Sequence, residues 1–260
     1  MSVSEALRDQ QERARAAVAG NPTWYHTIEL APGVSTPGFV DLRALARDVL
    51  PDDLAGLRAL DCGTFDGFWA FEMEKRGANV VAIDVEKVDD AEWPPNNRER
   101  LLADLAARRV ELGLGFRLAR ETLGSSVDRR LCPIYELSAD RIGGQVDLAF
   151  LGALQLHLRD PVRALERIHQ TLRPGGKLLM FEPFTMRHTL LHPRTPLAEL
   201  QPLSTPFNWW YPNIAGLRAL MQIAGFADVK RHKVRYIKGN EGMSAWYVAM
   251  SGRRTERLRG

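Results

Sequence analysis

The residues from Leu60 to Glu72, LDCGTFDGFWAFE, combine an apolar strand ending near Asp61, a turn bounded by Gly63 and Gly67, and the start of an aromatic-rich helix. Residues without a Cβ let main-chain atoms approach a ligand closely. About twenty residues further on, Asp84 ends a second apolar strand, where a carboxylate accepts both hydroxyls of a ribose. The turn departs from G-x-G-x-x-G because Phe65 takes the middle place. A pyrophosphate requires an open helix N-terminus, so the pattern favours a ligand with ribose but no diphosphate. The same residues also suit an ordinary β-α turn of an α/β protein.

Apolar residues alternate between helical and strand periods, which requires a mainly parallel sheet covered on both faces. Helices are expected over Ser4–Val18, Val40–Val49, Gly67–Arg76, Asn97–Leu112, Pro161–Leu172 and Asn213–Ala224. Strands are expected over Arg58–Cys62, Asn79–Ile83, Arg130–Tyr135, Val146–Leu151, Lys177–Glu182, Val229–Tyr236 and Ser244–Met250. The fold class is therefore α/β, a doubly wound, seven-stranded, mostly parallel sheet. A short link, IKGNEG, makes the last strand antiparallel to its neighbour. Residues 1–39 read as a helix and a cover for the site, 40–252 as the main domain, and 253–260 as a basic tail. Segment 184–212, punctuated by prolines and holding Trp209, Trp210 and Tyr211, is too long for a plain connection and reads as a substrate-facing insertion.

Composition narrows the function. With 45% hydrophobic and 26% charged residues, the chain is that of a soluble globular protein, and no apolar run approaches the roughly 20 residues of a membrane span. The charged N-terminus and the two cysteines, Cys62 and Cys132, on predicted core strands fit a reduced, cytoplasmic setting. Residues 227–260 carry nine Lys or Arg against three acids. They form either a phosphate-binding face or the solvated side of an edge strand with a frayed tail.

Taken in order, LDCGTFDG, Asp84, Tyr135-Glu136, VDLAFLGALQLHLRDP, LRPGGKLLMFEP and AGFADV resemble the class I S-adenosylmethionine-dependent methyltransferases, from about Trp24 to Met250. WYHTIELAPGVSTPG, LHLRDPVRALERI and WWYPNIAGLRALMQIAGF are similar to the branch containing the tRNA wobble-uridine carboxymethyltransferases. The resemblance implies a Rossmann-like fold with S-adenosyl-L-methionine as cofactor. Gly63 and Thr64 would meet its methionine end, with Asp61 shaping the turn; Asp84 would hold the ribose and Val85 pack on the adenine. Tyr135 and Glu136 would stand by the adenine amino group, Leu151 and Gly152 by the methionine amino group, and Tyr25 would close the site. LRPGGKLL reads as a helix stop in which Gly175 and Gly176 supply a left-handed turn. Leu156 stands where the wobble-uridine enzymes have a tyrosine, and no lysine neighbours Trp24-Tyr25-His26, which favours the ordinary cofactor.

Methyl transfer from an activated sulfonium needs alignment and dryness, and for a phenol, alcohol or amine acceptor it also needs a base. The candidate catalytic residues are His157, His26 and Glu182, with His188 and His192 as further histidines of the insertion. Each has a plainer role as well: packing or capping for His157, a lid contact for His26, orientation of the insertion for Glu182. No spacing suggests a metal site. The expected function is methyl transfer to a small-molecule acceptor. A tRNA-modifying enzyme and a non-catalytic cofactor-binding protein are the alternatives.

Overall fold

The computed structural model describes residues 2–201, 207–240 and 244–255. Helix α1 (Val3–Gly20) begins in a capping box: the Ser2 hydroxyl accepts from the Glu5 amide, and the Glu5 carboxylate accepts from the Ser2 amide. A hairpin of β1 (Glu29–Ala31) and β2 (Val34–Ser35) and the short α2 (Arg43–Val49) follow.

The main sheet contains β3 (Arg58–Cys62), β4 (Asn79–Asp84), β5 (Asp128–Leu131), β6 (Val146–Gly152), β7 (Leu172–Pro183), β10 (Phe226–Ile237) and β11 (Ala245–Arg254). Their spatial order is β5-β4-β3-β6-β7-β11-β10. Pairing is parallel from β5 to β7, and β11 runs antiparallel to both its neighbours. Period-two alternation splits the core. Ala59, Phe150 and Phe181 face Phe68, Phe71 and Phe116 on one side; Leu60, Leu151 and Met180 face Leu165, Ile168 and Leu217 on the other. Helices α3 (Phe68–Glu74) and α5 (Leu114–Leu123) supply the first layer, and α6 (Pro161–Thr171) and α8 (Ile214–Ile223) the second. Both faces being apolar, the central strands read as near-continuous hydrophobic runs.

Several boundaries differ from the sequence reading. The helix expected over Asn97–Leu112 ends earlier, as α4 (Arg98–Ala107), because Arg109 and Gly113 take left-handed backbone and α5 starts afresh at Gly113. Strand β5 lies earlier than Arg130–Tyr135. Pro133 has no N–H for the ladder, and Tyr135 and Glu136 fall in a 3-10 turn, Ile134–Glu136. β7 extends back to Leu172, and of the two glycines expected in the left-handed turn Gly175 alone takes it, at φ +76°. The last strand continues through Arg253 and Arg254, and residues 256–260 of the expected tail lie outside the described residues. Arg231 and Lys233 are exposed on the edge strand, and half-exposed Arg235 forms an ion pair with Asp48 at 2.5 Å.

The insertion has structure of its own: α7 (Met186–Leu191) and a two-stranded sheet of β8 (Ala198–Leu200) and β9 (Trp210–Pro212). Fully buried Asn213 organises it. Its carboxamide oxygen accepts from the Leu197 and Gly216 amides, capping α8, and its nitrogen donates to the carbonyls of His188, His192 and Thr195. That many partners on one buried side chain removes the freedom a proline-rich loop would otherwise keep.

Candidate active site

The carboxyl ends of β3, β4, β6 and β7 meet along one edge, bringing Asp61, Gly63, Asp84, Gly152 and Glu182 together where open α/β sheets bind ligands. The turn after β3 explains its own sequence. Gly67 has φ +91°, and a Cβ there would lie 2.4 Å from Phe71, so packing of α3 demands this glycine. Gly63 has φ +72° and a Cβ would press Leu154 at 2.9 Å. Phe65, in the place of the missing middle glycine, is left-handed at φ +49°. Its amide donates to Asp84 Oδ2 at 2.8 Å and its ring meets Tyr25 edge-on, which offsets a conformation that otherwise costs about 1 kcal/mol.

Asp84 also accepts from the Val85 amide at 2.8 Å. A carboxylate has about four lone-pair sites, so two remain for ribose hydroxyls. Asp61 is buried, and its Oδ2 has no hydrogen-bond partner among the described residues. Burial pushes its acid up to about 7, and Asp84 adds to the push while His26 opposes it. The amides of Gly63 and Thr64 both donate to the Ile83 carbonyl, at 2.9 and 3.1 Å. They are therefore not free donors, and what these residues offer a ligand is close approach.

The N-terminal segment is fastened to this turn by Asp66. One of its oxygens accepts from the Tyr25 and His26 amides, at 3.1 and 2.7 Å; the other meets His26 Nδ1 at 2.5 Å. His26 is buried and stacked on Phe68. This is a clamp, which gives His26 a structural task; with Nδ1 turned to Asp66, Nε2 is the ring nitrogen left for acid–base work. The clamp delivers Tyr25, whose phenol is pushed up to about 12 by burial and by the carboxylates of Asp66 and Glu182. Tyr247 on β11 is raised by burial, by Tyr25 and by the same Glu182.

Glu182 accepts from the amides of Leu154 and Gln155, at 3.1 and 3.3 Å, and so holds the connection after β6 rather than the insertion. Burial pushes its acid up to about 8 against those two hydrogen bonds. In that connection Ala153 is left-handed at φ +50°, and the carboxamide of buried Gln155 has no partner on either atom among the described residues. Gln155 escaped the sequence reading; the signal was a polar residue in an otherwise apolar LGALQLHL run. His157 Nδ1 faces the Phe207 carbonyl at 2.9 Å, and burial lowers the imidazole from its ordinary range. His188 pairs with Glu199 at 2.7 Å and His192 caps α7, so both serve the insertion.

The remaining candidates separate. Leu151 is fully buried with its side chain in the core; Val85 is half-buried beside Asp84. The Tyr135 hydroxyl donates to Glu92 and accepts from the Asp160 amide. Glu92 in turn accepts from the Arg159 amide, and its carbonyl from Trp209 Nε1 at 2.6 Å. Tyr135 thus ties the loop after β4 to the start of α6, and Glu92 ties the same loop to Trp209 of the insertion. Glu136 is exposed and pairs with Arg141 at 2.7 Å. Among the described residues no group of three or more His, Cys, Asp or Glu is placed to hold a metal ion, and no helix is long and apolar enough to cross a membrane.

A family profile described as a methyltransferase domain matches residues 39–231. The chain belongs to the methyltransferase-domain family. It is thus a class I, Rossmann-like methyltransferase whose family takes its methyl group from S-adenosylmethionine. A tRNA U34 carboxymethyltransferase of Pseudomonas paraeruginosa is 27% identical over 182 residues, covering 68% of this chain and 47% of that protein. A ubiquinone biosynthesis O-methyltransferase of Marinobacter nauticus is 27% identical over 175 residues, 66% of this chain and 61% of that one. The methyltransferase described here thus spans about half the length of the first of these curated relatives. Among solved structures, the N-terminal domain of EvdMO1, determined in the presence of SAH and D-fucose, shares the fold. Its TM-score is 0.58 at 15% identity, covering 95% of this chain and 97% of that one.

The residues present fit that cofactor. The orphaned, buried Asp61 oxygen suits an ammonium or a water bound to one, Gly63 leaves room at the turn, and Asp84 has acceptor capacity to spare.

Proposed function

We propose that this methyltransferase transfers a methyl group from S-adenosylmethionine to a small-molecule acceptor at oxygen, nitrogen or carbon. The observation that carries the reading is the meeting of Asp61, with its unpartnered buried oxygen, the Gly63 turn and Asp84 on one sheet edge. In this reading Asp84 holds the ribose hydroxyls, Val85 flanks the adenine, and Asp61 and the backbone of Gly63, Thr64, Leu151 and Gly152 surround the methionine end. When bound, the cofactor supplies an electrophilic methyl group on a positive sulfur. The protein's task is then to align the acceptor, keep water out and receive a proton.

His157 is the proposed base. Its Nδ1 faces a carbonyl and must carry the proton, which leaves the lone pair on Nε2; burial keeps the ring neutral near pH 7, the form a base needs. Tyr25, Tyr247 and Glu182 make the far wall, and the Gln155 carboxamide is a polar group available to the acceptor. Neutral phenols and a carboxyl held largely protonated near pH 7 favour an uncharged polar acceptor over a polyanion.

A second reading, a tRNA acceptor, draws on the wobble-uridine relative and on a basic groove lined by Arg194, Arg218, Lys230, Arg231 and His232. Calorimetry separates them. S-adenosylhomocysteine should bind the wild-type chain at micromolar strength, and Asp84→Ala should weaken it at least tenfold. Bulk tRNA titrated at low salt should give no signal that decays steeply with added salt. Absence of S-adenosylhomocysteine binding would end the cofactor reading, and a steep salt-dependent tRNA isotherm would move the acceptor to nucleic acid.

A further inference from the structure

We propose that Arg129, on the flanking strand β5, is a positioning residue for the ribose site: its guanidinium stands behind Asp84 and holds that carboxylate in the form that accepts two hydroxyls. The proposal rests on the S-adenosylmethionine reading above.

Arg129 is the register partner of Ala82 in the parallel β4–β5 pair, and Asp84 lies two residues further along β4. Residues two apart on a strand share a face, so Arg129 and Asp84 are diagonal neighbours on the α5 side of the sheet. The helix is shaped around the guanidinium. Its Cζ lies 5.7 Å from the centre of the Phe116 ring. Gly113, at φ +77°, opens α5, and a Cβ at that position would come within 2.6 Å of Nη2 and 2.7 Å of Cζ. A side chain at residue 113 would displace the guanidinium at 129 from this position, so the glycine turn that starts α5 also makes the berth for Arg129.

The occupant of that berth is costly unless it has a task. Nε and Nη2 are buried with no hydrogen-bond partner among the described residues, and Arg129 forms no ion pair within 4 Å among them. A methionine or leucine would pack on Phe116 without leaving idle N–H groups. What the arginine adds is positive charge where acids crowd. Asp84 is bordered by Asp61 near the end of β3 and by Asp66 on the turn after it, and Glu86 follows it; Arg117 on α5 is the other cation near Arg129. Burial pushes Asp84 up and Asp66 adds to it, while the Phe65 and Val85 amides and the Arg129 charge pull it back. With Arg129 removed, two neighbouring carboxyls and desolvation oppose the charged form. Protonated Asp84 keeps its two backbone donors only with one oxygen compromised, and it loses acceptor capacity for ribose.

The test is calorimetry of S-adenosylhomocysteine binding to the full chain at pH 6, 7 and 8, comparing wild type, Arg129→Met, Arg129→Lys, Asp84→Asn and the Arg129→Met/Asp84→Asn double variant. Arg129→Met should weaken binding about tenfold at pH 7, more at pH 6 and less at pH 8, whereas wild type changes little over this range. Arg129→Lys should recover part of the loss. In the Asp84→Asn background, Arg129→Met should cost less than twofold, because the carboxylate it serves is gone. Thermal melts report whether Arg129→Met is folded; if it is not, Arg129→Lys against wild type at pH 6 decides, with unchanged affinity counting against the proposal. Binding by Arg129→Met within twofold of wild type at every pH, or full multiplicative losses in the double variant, overturns it. Failure of wild type itself to bind would instead overturn the cofactor reading on which it rests.

Discussion

Asp66 is the residue whose removal tests how the N-terminal segment is held. Its carboxylate satisfies three donors, the amides of Tyr25 and His26 and the His26 ring, at 3.1, 2.7 and 2.5 Å. Asp66 and His26 are both buried. Asp66→Ala leaves those donors without an acceptor, and an orphaned buried donor costs about 1–3 kcal/mol. Three orphans at the lower end, with some relaxation of the backbone, give an expected loss of about 3–5 kcal/mol, a large share of a domain's stability. His26→Ala should cost less, about 2 kcal/mol, because Asp66 keeps both amides and the loss is the Phe68 stacking and one hydrogen bond. The pair should be strongly non-additive in a double-mutant cycle. Urea titration gives the free energies, and hydrogen exchange at the Tyr25 and His26 amides shows whether the segment opens before the sheet. S-adenosylhomocysteine affinity should fall with it, since Tyr25 is carried by the same clamp. A loss below about 1 kcal/mol in Asp66→Ala, with exchange at those amides unchanged, would refute the clamp.

Glu182→Gln should alter stability in a pH-dependent way. The folded-state acid lies near 8 against an ordinary 4.5, so between those values the native state holds the proton and the unfolded state does not. Wild-type stability therefore falls relative to the variant as pH rises through that window, at up to about 1.4 kcal/mol per pH step; parallel stability curves from pH 5 to 8 would contradict the burial. Gln155→Leu replaces a buried, unpartnered carboxamide with an apolar side chain and should raise stability by roughly 1–2 kcal/mol. The same change should lower kcat/KM for the true acceptor while leaving S-adenosylhomocysteine affinity within twofold; a variant both more stable and fully active would remove Gln155 from the site.

The parts of this protein that could be read from its sequence are those where one local rule decides. The succession of helices and strands along the chain followed from alternating periods, and the antiparallel end from a short link that cannot make a crossover. Asp84 was legible because an acid at the end of a second strand has few structural reasons to be there. The errors arose where a distant partner overrode local preference. Gly67 looked like a ligand-facing glycine, but Phe71 is what excludes a side chain there. His26 was weighed as a base or a lid contact; the sequence could not show that Asp66, forty residues away, would accept from its amide and meet its Nδ1. The insertion looked irregular because its order depends on Asn213 gathering amides and carbonyls from three separate stretches. Arg129 is the sharpest case, since an arginine in a short flanking strand reads as surface. Only the left-handed Gly113 beneath it and the idle nitrogens beside Asp84 give it a task. Among the buried side chains with unpartnered atoms, Asp61, Thr64 and Gln155 gather at the carboxyl edge of the sheet, while His169, His188 and Arg254 belong to α6, α7 and β11. The three at the edge agree with the location that the glycine turn first suggested, and Arg129 flanks it from β5.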